Sequence, residues 1–70
     1  MKLKINGEVK VIEPAQIPLN LAKLIEALGH NPRLIVVEFN GIILTPQSWE
    51  EQKVLEGDSL EIVTIVGGGS

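Results

Sequence analysis

Apolar and polar residues alternate from the second residue of the chain, in the segment KLKING. A period of two places Leu3 and Ile5 on one face of a strand and the lysines on the other. Asn6-Gly7 follows, and Asn-Gly between two strand-like segments is the strongest short-range signal of a tight hairpin. The next segment, EVKVIE, has the composition of a returning strand. The chain is therefore predicted to begin with a β-hairpin.

The period changes to that of a helix after the proline-containing connector PAQIP. In LNLAKLIEALGHNP, apolar residues recur at helical spacing and form one stripe: Leu21, Leu24, Ile25 and Leu28. Asn20 is a typical N-cap residue, and Gly29 is a typical residue just beyond the end of a helix. This pattern predicts a helix of about three turns with one buried face.

The C-terminal half contains a second Asn-Gly, Asn40-Gly41, inside the apolar segment LIVVEFNGIIL. This pattern predicts a second hairpin. TPQSWEEQ follows and is typical of a short helical turn, with Thr45 as the N-cap and Pro46 at the first helical position. The segment EGDSLEIVTIV then predicts a Gly-Asp turn and a last strand.

The order of these elements is hairpin, helix, hairpin, short helical turn and strand. That order favours an α+β fold of the β-grasp type, in which a mixed sheet of about four to five strands surrounds one helix. The predicted domain spans residues 1–66, and residues 67–70 are predicted to form a flexible, glycine-rich C-terminal tail.

Strand alternation also predicts what each face of the sheet carries. Glu38 and Glu61 should face water, which turns the alternate apolar residues of both strands towards the helix: Ile35, Val37, Phe39, Leu60 and Ile62. The same alternation leaves Val36, Val63 and Ile65 on the outer face with the glutamates. These three residues are either a docking patch for a partner or the scattered exposed aliphatic residues that most proteins have.

The small size of the chain makes the hydrophobic core its main source of stability. A chain near 70 residues buries only about 60% of the surface that its unfolded form exposes. Cysteine is absent, so disulfides and thiolate metal sites are excluded, and no side chain can carry sulfur as a persulfide. Only one Phe and one Trp are present, so the predicted core is mainly aliphatic.

The charge pattern argues against nucleic acid as a direct partner, and the short apolar segments argue against membranes. The net charge is −3, and the six basic and nine acidic residues are spread along the chain. Neither a basic stripe nor interleaved aromatic residues for stacking on bases are present. The apolar segments are too short to span a bilayer, and the first residues lack the apolar block of a signal peptide. We therefore expect a cytoplasmic protein.

The side chains that often carry catalysis or bind metals are isolated in this sequence. His30 is the single histidine, so we expect an ordinary loop residue rather than a metal ligand. Ser48 and Ser59 lie in no motif that supplies a base, and Trp49 is expected to pack the short helical turn onto the sheet. We expect neither catalysis by this chain alone nor a bound cofactor.

The last strand runs directly into Gly67, Gly68 and Gly69, followed by Ser70. Glycine packs nothing and loses much conformational entropy when it is ordered. One interpretation is a frayed end or a linker. The other is a tail that threads a narrow channel, where any Cβ would clash, and that offers an unhindered carboxylate for acyl transfer. The tail alone leaves both interpretations open.

The segments VVEFNGIILTPQSWEEQKVLEGDSLEIVTIVGG and KLKINGE resemble the ThiS family, the ubiquitin-like sulfur carrier proteins of bacterial thiamin biosynthesis. The resemblance covers essentially the whole chain. Its most specific feature is the spacing of the Gly-Asp turn, the apolar strand and the diglycine. The resemblance implies a β-grasp protein that is a cosubstrate of other enzymes rather than an enzyme.

In such proteins the reactive carboxylate belongs to the end of the diglycine, which matches Gly67-Gly68 or Gly68-Gly69. The resemblance implies that an E1-like activating enzyme adenylates this carboxylate with ATP. A cysteine-derived sulfur donor enzyme then converts it into a thiocarboxylate, and thiazole synthase takes the sulfur into the thiazole ring. Ser70 departs from the pattern: it is trimmed, or was added to the native chain, or marks an inactive form.

Three other functions fit parts of the pattern. A molybdopterin-type sulfur carrier shares the fold and the diglycine, but it usually has a proline-containing stretch before the diglycine, and EIVTIVGG has none. A ubiquitin-like modifier would need processing of its C terminus before it could be joined to lysines of target proteins. A plain interaction domain would use the tail only as a linker.

Overall fold

Eight elements of secondary structure occur in the residues that the computed structural model describes, residues 1–13 and 19–65. The strands are β1 (Lys2–Ile5), β2 (Glu8–Val11), β3 (Ile35–Phe39), β4 (Ile42–Leu44) and β5 (Ser59–Thr64). The helical elements are α1 (Leu21–Ala27), a 3₁₀ turn (Pro32–Leu34) and α2 (Pro46–Trp49). The predicted order is confirmed, and the 3₁₀ turn is an addition to it. The connector predicted over PAQIP lies outside the described residues.

The strands form one sheet in the order β2-β1-β5-β3-β4. β1 and β5 run parallel, and the other neighbouring strands are antiparallel. The last strand of the chain therefore lies in the middle of the sheet, between the two hairpins. A mixed five-stranded sheet that packs against one main helix confirms the predicted β-grasp fold.

Both Asn-Gly pairs make the predicted hairpin turns. The φ angles are 51° at Asn6 and 83° at Gly7, and 50° at Asn40 and 87° at Gly41. Positive φ at both central residues is the requirement of a type I′ turn, which asparagine and glycine meet at low cost. These turns fix the register of the strands on either side of them.

Both α-helices begin where the sequence predicts. The side chain of Asn20 accepts a hydrogen bond from the N–H of Lys23 at 2.7 Å, which satisfies a free donor of the first turn. Thr45 takes the N-cap position of α2 and Pro46 follows, but the Thr45 hydroxyl makes no capping bond. Instead, the hydroxyl of Ser48 donates to the Thr45 carbonyl at 2.9 Å.

Helix α1 is shorter than predicted. It ends at Ala27, after about two turns rather than about three. The N–H of Gly29 donates to the Glu26 carbonyl at 3.0 Å, and that of His30 donates to the Ile25 carbonyl at 3.3 Å. These two bonds form a Schellman motif around a glycine with φ of 82°. The motif ends the helix one residue before the last apolar position of the predicted stripe.

The core lies between α1 and the inner face of the sheet. The five strand residues predicted to point inwards are all buried: Ile35, Val37, Phe39, Leu60 and Ile62. Strand β1 adds Leu3 and Ile5, and the segment before β5 adds Val54. Trp49 is also buried, as predicted, and its indole N–H donates to the Leu44 carbonyl at 2.9 Å. The core is thus mainly aliphatic, with one Phe and one Trp.

Candidate docking face and glycine segment

The candidate site is the outer face of the sheet, which is turned away from α1. Val36 on β3 and Val63 on β5 lie directly opposite each other on this face. Val63 is 56% exposed, Ile65 just beyond the strand is 55% exposed, and Val36 is half-buried. The predicted outward orientation of these residues is observed, and their role in docking stays a prediction.

The last described residue of this face, Ile65, precedes the glycine segment in the sequence. The N–H of Ile65 donates to the Leu34 carbonyl at 2.8 Å, so the backbone runs alongside the start of β3 as far as residue 65. Gly67, Gly68 and Gly69 lie outside the described residues, and so does the domain boundary predicted after residue 66. The role of the glycines therefore stays a prediction.

A further apolar residue, Ile43 on β4, belongs to the same face. It is 63% exposed and lies opposite Glu38. The sequence reasoning missed it, although the turn at Asn40-Gly41 sets this register and alternation from Glu38 would have predicted it. We refer to the following four residues as the apolar patch: Val36, Ile43, Val63 and Ile65.

Strand β2 carries two more exposed apolar residues on the outer face, at the far edge of the sheet. Val9 and Val11 are 68% and 66% exposed, and they lie opposite Lys4 and Lys2 of β1. The lysines of β1 therefore stand between these valines and the apolar patch.

Two glutamates lie within the apolar patch. Glu38 of β3 and Glu61 of β5 are directly opposite each other. Glu38 is half-buried, and Glu61 is exposed. The patch thus combines apolar surface with concentrated negative charge.

Two asparagine side chains bind the backbone near or within β5 from both sides. The Oδ1 atom of Asn6 accepts from the Ile62 N–H at 2.7 Å, and its Nδ2 donates to the Ile62 carbonyl at 3.3 Å. The Oδ1 atom of Asn40 accepts from the Ser59 N–H at 2.9 Å, and its Nδ2 donates to the Asp58 carboxylate at 3.2 Å. Both hairpin turns therefore fix the strand that leads to the glycines. The sequence reasoning identified these asparagines only as turn residues.

Other side chains with chemical potential are scattered. His30 lines a half-open cavity together with Glu8 and Lys10. Within residues 1–13 and 19–65, no three or more His, Cys, Asp or Glu side chains are grouped so that they could hold a metal ion. In the same part of the chain, no helix has the length and apolar character needed to cross a membrane. The outer face and the glycine segment stay the candidate site.

Comparison with known proteins decides the family. The model of the ThiS family matches residues 3–69, which include most of the chain and all three consecutive glycines. The chain belongs to the ThiS family. This confirms the resemblance described above, and it supports a sulfur carrier protein of thiamin biosynthesis as the general function.

Two solved structures of ThiS-type proteins have the same fold. The crystal structure of the thiamine biosynthesis protein ThiS from Geobacter metallireducens has a TM-score of 0.81 at 30% identity and covers 99% of this chain and 100% of its own. An NMR solution structure of a thiamine biosynthesis protein from the same organism has a TM-score of 0.81 at 31% identity and covers 100% of this chain and 90% of its own.

Relatives of this ThiS-family chain include a much longer protein. The thiazole synthase of Paramagnetospirillum magneticum is 39% identical over all 70 residues, which make up 21% of that protein. The protein ycf40 of Trieres chinensis is 41% identical over 51 residues, or 73% of this chain and 70% of its own length. The protein ycf40 of Porphyra purpurea is 33% identical over 69 residues, or 99% of this chain and 93% of its own.

Proposed function

We propose that this ThiS-family chain carries sulfur on the carboxylate of a C-terminal glycine. An E1-like activating enzyme adenylates the carboxylate with ATP, and a cysteine-derived sulfur donor enzyme supplies the sulfur. Thiazole synthase then uses the resulting thiocarboxylate to build the thiazole ring of thiamin. The chain is a cosubstrate in this scheme, and the enzymes around it do the catalysis.

The match of the ThiS family through residue 69 carries this proposal. It includes Gly67, Gly68 and Gly69, the residues that the proposal needs as the acceptor. The chain has no cysteine, so a sulfur atom bound covalently as a persulfide has no side chain to sit on. A carboxylate at the end of the glycine segment is an acceptor that this chain can offer once a glycine is C-terminal.

The chemistry balances with one oxygen exchanged for one sulfur. A carboxylate oxygen attacks the α-phosphorus of ATP, and pyrophosphate leaves, which gives an acyl adenylate. Sulfur at the oxidation level of sulfide then attacks the acyl carbon, and AMP departs with one of the former carboxylate oxygens. A Cβ on the last residues would crowd both attacks, whereas glycine leaves the carbonyl carbon open.

The relative named thiazole synthase supports the identity of the acceptor enzyme. A region similar to this entire chain occurs there within one protein of that name, at 39% identity. A carrier region joined to its acceptor enzyme has a high effective concentration at that enzyme. We therefore propose that the separate chain delivers its sulfur to a thiazole synthase.

The apolar patch is the proposed contact with the activating enzyme. Val63 and Ile65 are more than half exposed and lie in the residues that lead directly to the glycine segment. When a partner covers exposed aliphatic residues on neighbouring strands, their apolar surface is removed from water, which favours binding. Docking at this patch would bring the glycine segment to the same enzyme.

A side chain in the glycine segment tests the channel. In a chain that ends at Gly69, Gly68→Val should reduce adenylation, measured as ATP–pyrophosphate exchange by the activating enzyme, by at least about a hundredfold, the scale seen when reacting groups are misplaced by an ångström. Gly68→Ala should give a smaller loss. The unfolding transition should not change, because the last buried core residue of the described chain is Ile62.

The chain ending at Ser70 is the control for the position of the carboxylate. It should support no exchange before Ser70 is removed. An unimpaired exchange rate in Gly68→Val would contradict the narrow channel, and exchange that is equal with and without Ser70 would contradict a glycyl acceptor.

A further inference from the structure

The register of β3 and β5 brings two carboxylates together within the apolar patch. Glu38 and Glu61 are directly opposite, and two residues further along the ladder the Asn40 N–H donates to the Ser59 carbonyl at 2.8 Å. Hydrogen-bonded and non-hydrogen-bonded pairs alternate in an antiparallel ladder, so the glutamates also form a hydrogen-bonded pair, with Cα atoms about 5.5 Å apart. Their side chains leave the same face of the sheet.

Neither carboxylate has a hydrogen-bonding partner within the described part of the chain. The side-chain carboxylates that accept hydrogen bonds there are those of Glu56 and Asp58. The nearest lysine of β1 on this face, Lys4, is level with Ser59 rather than with Glu61. Like charges directly opposite each other destabilise a sheet. The fold therefore keeps an arrangement that its own stability does not favour.

Apolar residues surround this pair. Ile43 lies opposite Glu38 on the side away from β5. Val36 and Val63, which are opposite each other, lie two residues along each strand. A partner that covers these apolar residues also removes the carboxylates from water, which is costly unless it supplies positive charge and hydrogen-bond donors.

We infer that the activating enzyme covers the apolar patch with a surface that places an arginine between Glu38 and Glu61. A guanidinium has a planar set of donors that can bond to both carboxylates at once, and its flat faces pack against aliphatic side chains. A lysine ammonium would offset the negative charge, but it lacks the planar set of donors that can bond to both carboxylates. The inference rests on the proposed function, and it adds the chemistry by which the activating enzyme recognises the carrier.

Neutral replacements of the same shape test the inference on the full chain. Glu38→Gln and Glu61→Gln should each weaken binding to the purified activating enzyme about tenfold or more, the scale of a lost charged hydrogen bond. The double variant should weaken binding by less than the product of the two single effects, because one arginine serves both carboxylates. Added salt should weaken the wild-type complex more than that of the double variant.

The controls separate binding from folding. Glu26→Gln changes an exposed glutamate of α1, away from the outer face, and should bind as the wild type does. The melting temperature of the double variant should be unchanged or higher, because a like-charge pair is removed. Loss of binding together with equal or greater stability is the result that supports the arginine contact.

Two outcomes would overturn the inference in different ways. If both glutamine variants bind the activating enzyme as tightly as the wild type does, the carboxylates do not contribute to binding. The proposed function then stands without the arginine contact. If the wild type itself does not bind the activating enzyme, the inference and the proposed function fail together.

Discussion

Asn6 combines a positive φ angle with side-chain hydrogen bonds to β5, and asparagine suits this combination better than any other residue type. Its φ of 51° is a conformation that most side chains disfavour, and asparagine tolerates it. Its amide also takes the place of a strand backbone, accepting from and donating to Ile62 at 2.7 and 3.3 Å. Pairing between β1 and β5 is thereby extended beyond Ile5, where β1 ends.

Replacing this side chain should therefore be unusually costly for a turn. Asn6→Ala should lower the free energy of unfolding by about 2–4 kcal/mol, because it leaves the Ile62 backbone without partners and strains the positive φ. Asn6→Gly should cost about 1 kcal/mol less, because glycine relieves the strain and loses only the bonds. Urea denaturation measures both values. Equal stability of the two variants, or a more stable Ala variant, would contradict the conformational part of this explanation.

At the level of elements, alternate residues of β5 point into the core and out to the proposed docking face. Leu60 and Ile62 are buried in the core, whereas Glu61 and Val63 point outwards. The strand is central, with β1 on one side and β3 on the other, so its position is fixed by two neighbours. The outward residues of this central strand belong to the face that we propose a partner covers.

Two valines with similar exposure can test which part of the outer face binds. Val63→Ser should weaken binding to the activating enzyme about tenfold, because the variant buries less apolar surface against the partner close to the glycine segment. Val9→Ser, on β2 at the far edge, should leave binding unchanged. Both should change the free energy of unfolding by less than about 1 kcal/mol. Titration calorimetry and urea denaturation check the two parts.

The contrast between these valines makes the test decisive. They are 56% and 68% exposed, so a general effect of losing a strand valine would appear in both. If Val9→Ser weakened binding as much as Val63→Ser, the contact would extend over the whole outer face, and binding would not be confined to the apolar patch.

The sequence predicted the strands and their faces well because strand alternation depends only on neighbouring residues. Buried Val37 between outward Val36 and Glu38 is read directly from the order of residues. The Asn-Gly turns were predicted for the same reason, since positive φ at both positions is a local requirement.

The features that the sequence did not predict depend on residues far apart in the chain. The bond between Asn6 and Ile62 joins positions 56 residues apart, and no local pattern indicates it. The opposition of Glu38 and Glu61 requires the pairing of β3 with β5 in one register. The predicted length of α1 was wrong for a different reason. Gly29 was predicted correctly as the residue beyond the helix end, but the Schellman motif ends the helix before Leu28, the last apolar position.

At the scale of the whole molecule, the buried core and the proposed acceptor occupy different parts of the sequence. The described buried core runs from Leu3 to Ile62, and all of its members are hydrophobic. The proposed acceptor lies in the glycines that follow, which the ThiS family match includes. This arrangement suits the proposed function, in which the glycine segment reacts at several enzymes while the domain stays folded.

The intact mass of the untagged protein, purified under gentle conditions from its own cells, tests the sulfur carrier function most directly. We expect a species that ends in a glycine of the segment 67–69 and that is heavier than the corresponding carboxylate by the difference between one sulfur and one oxygen. Treatment with a thiol-alkylating reagent should add one label to that species. The label should sit on the thiocarboxylate sulfur, because the chain has no cysteine that could react instead. A population that consists only of chains retaining Ser70, without sulfur, would contradict the proposed function and leave the β-grasp fold unaffected.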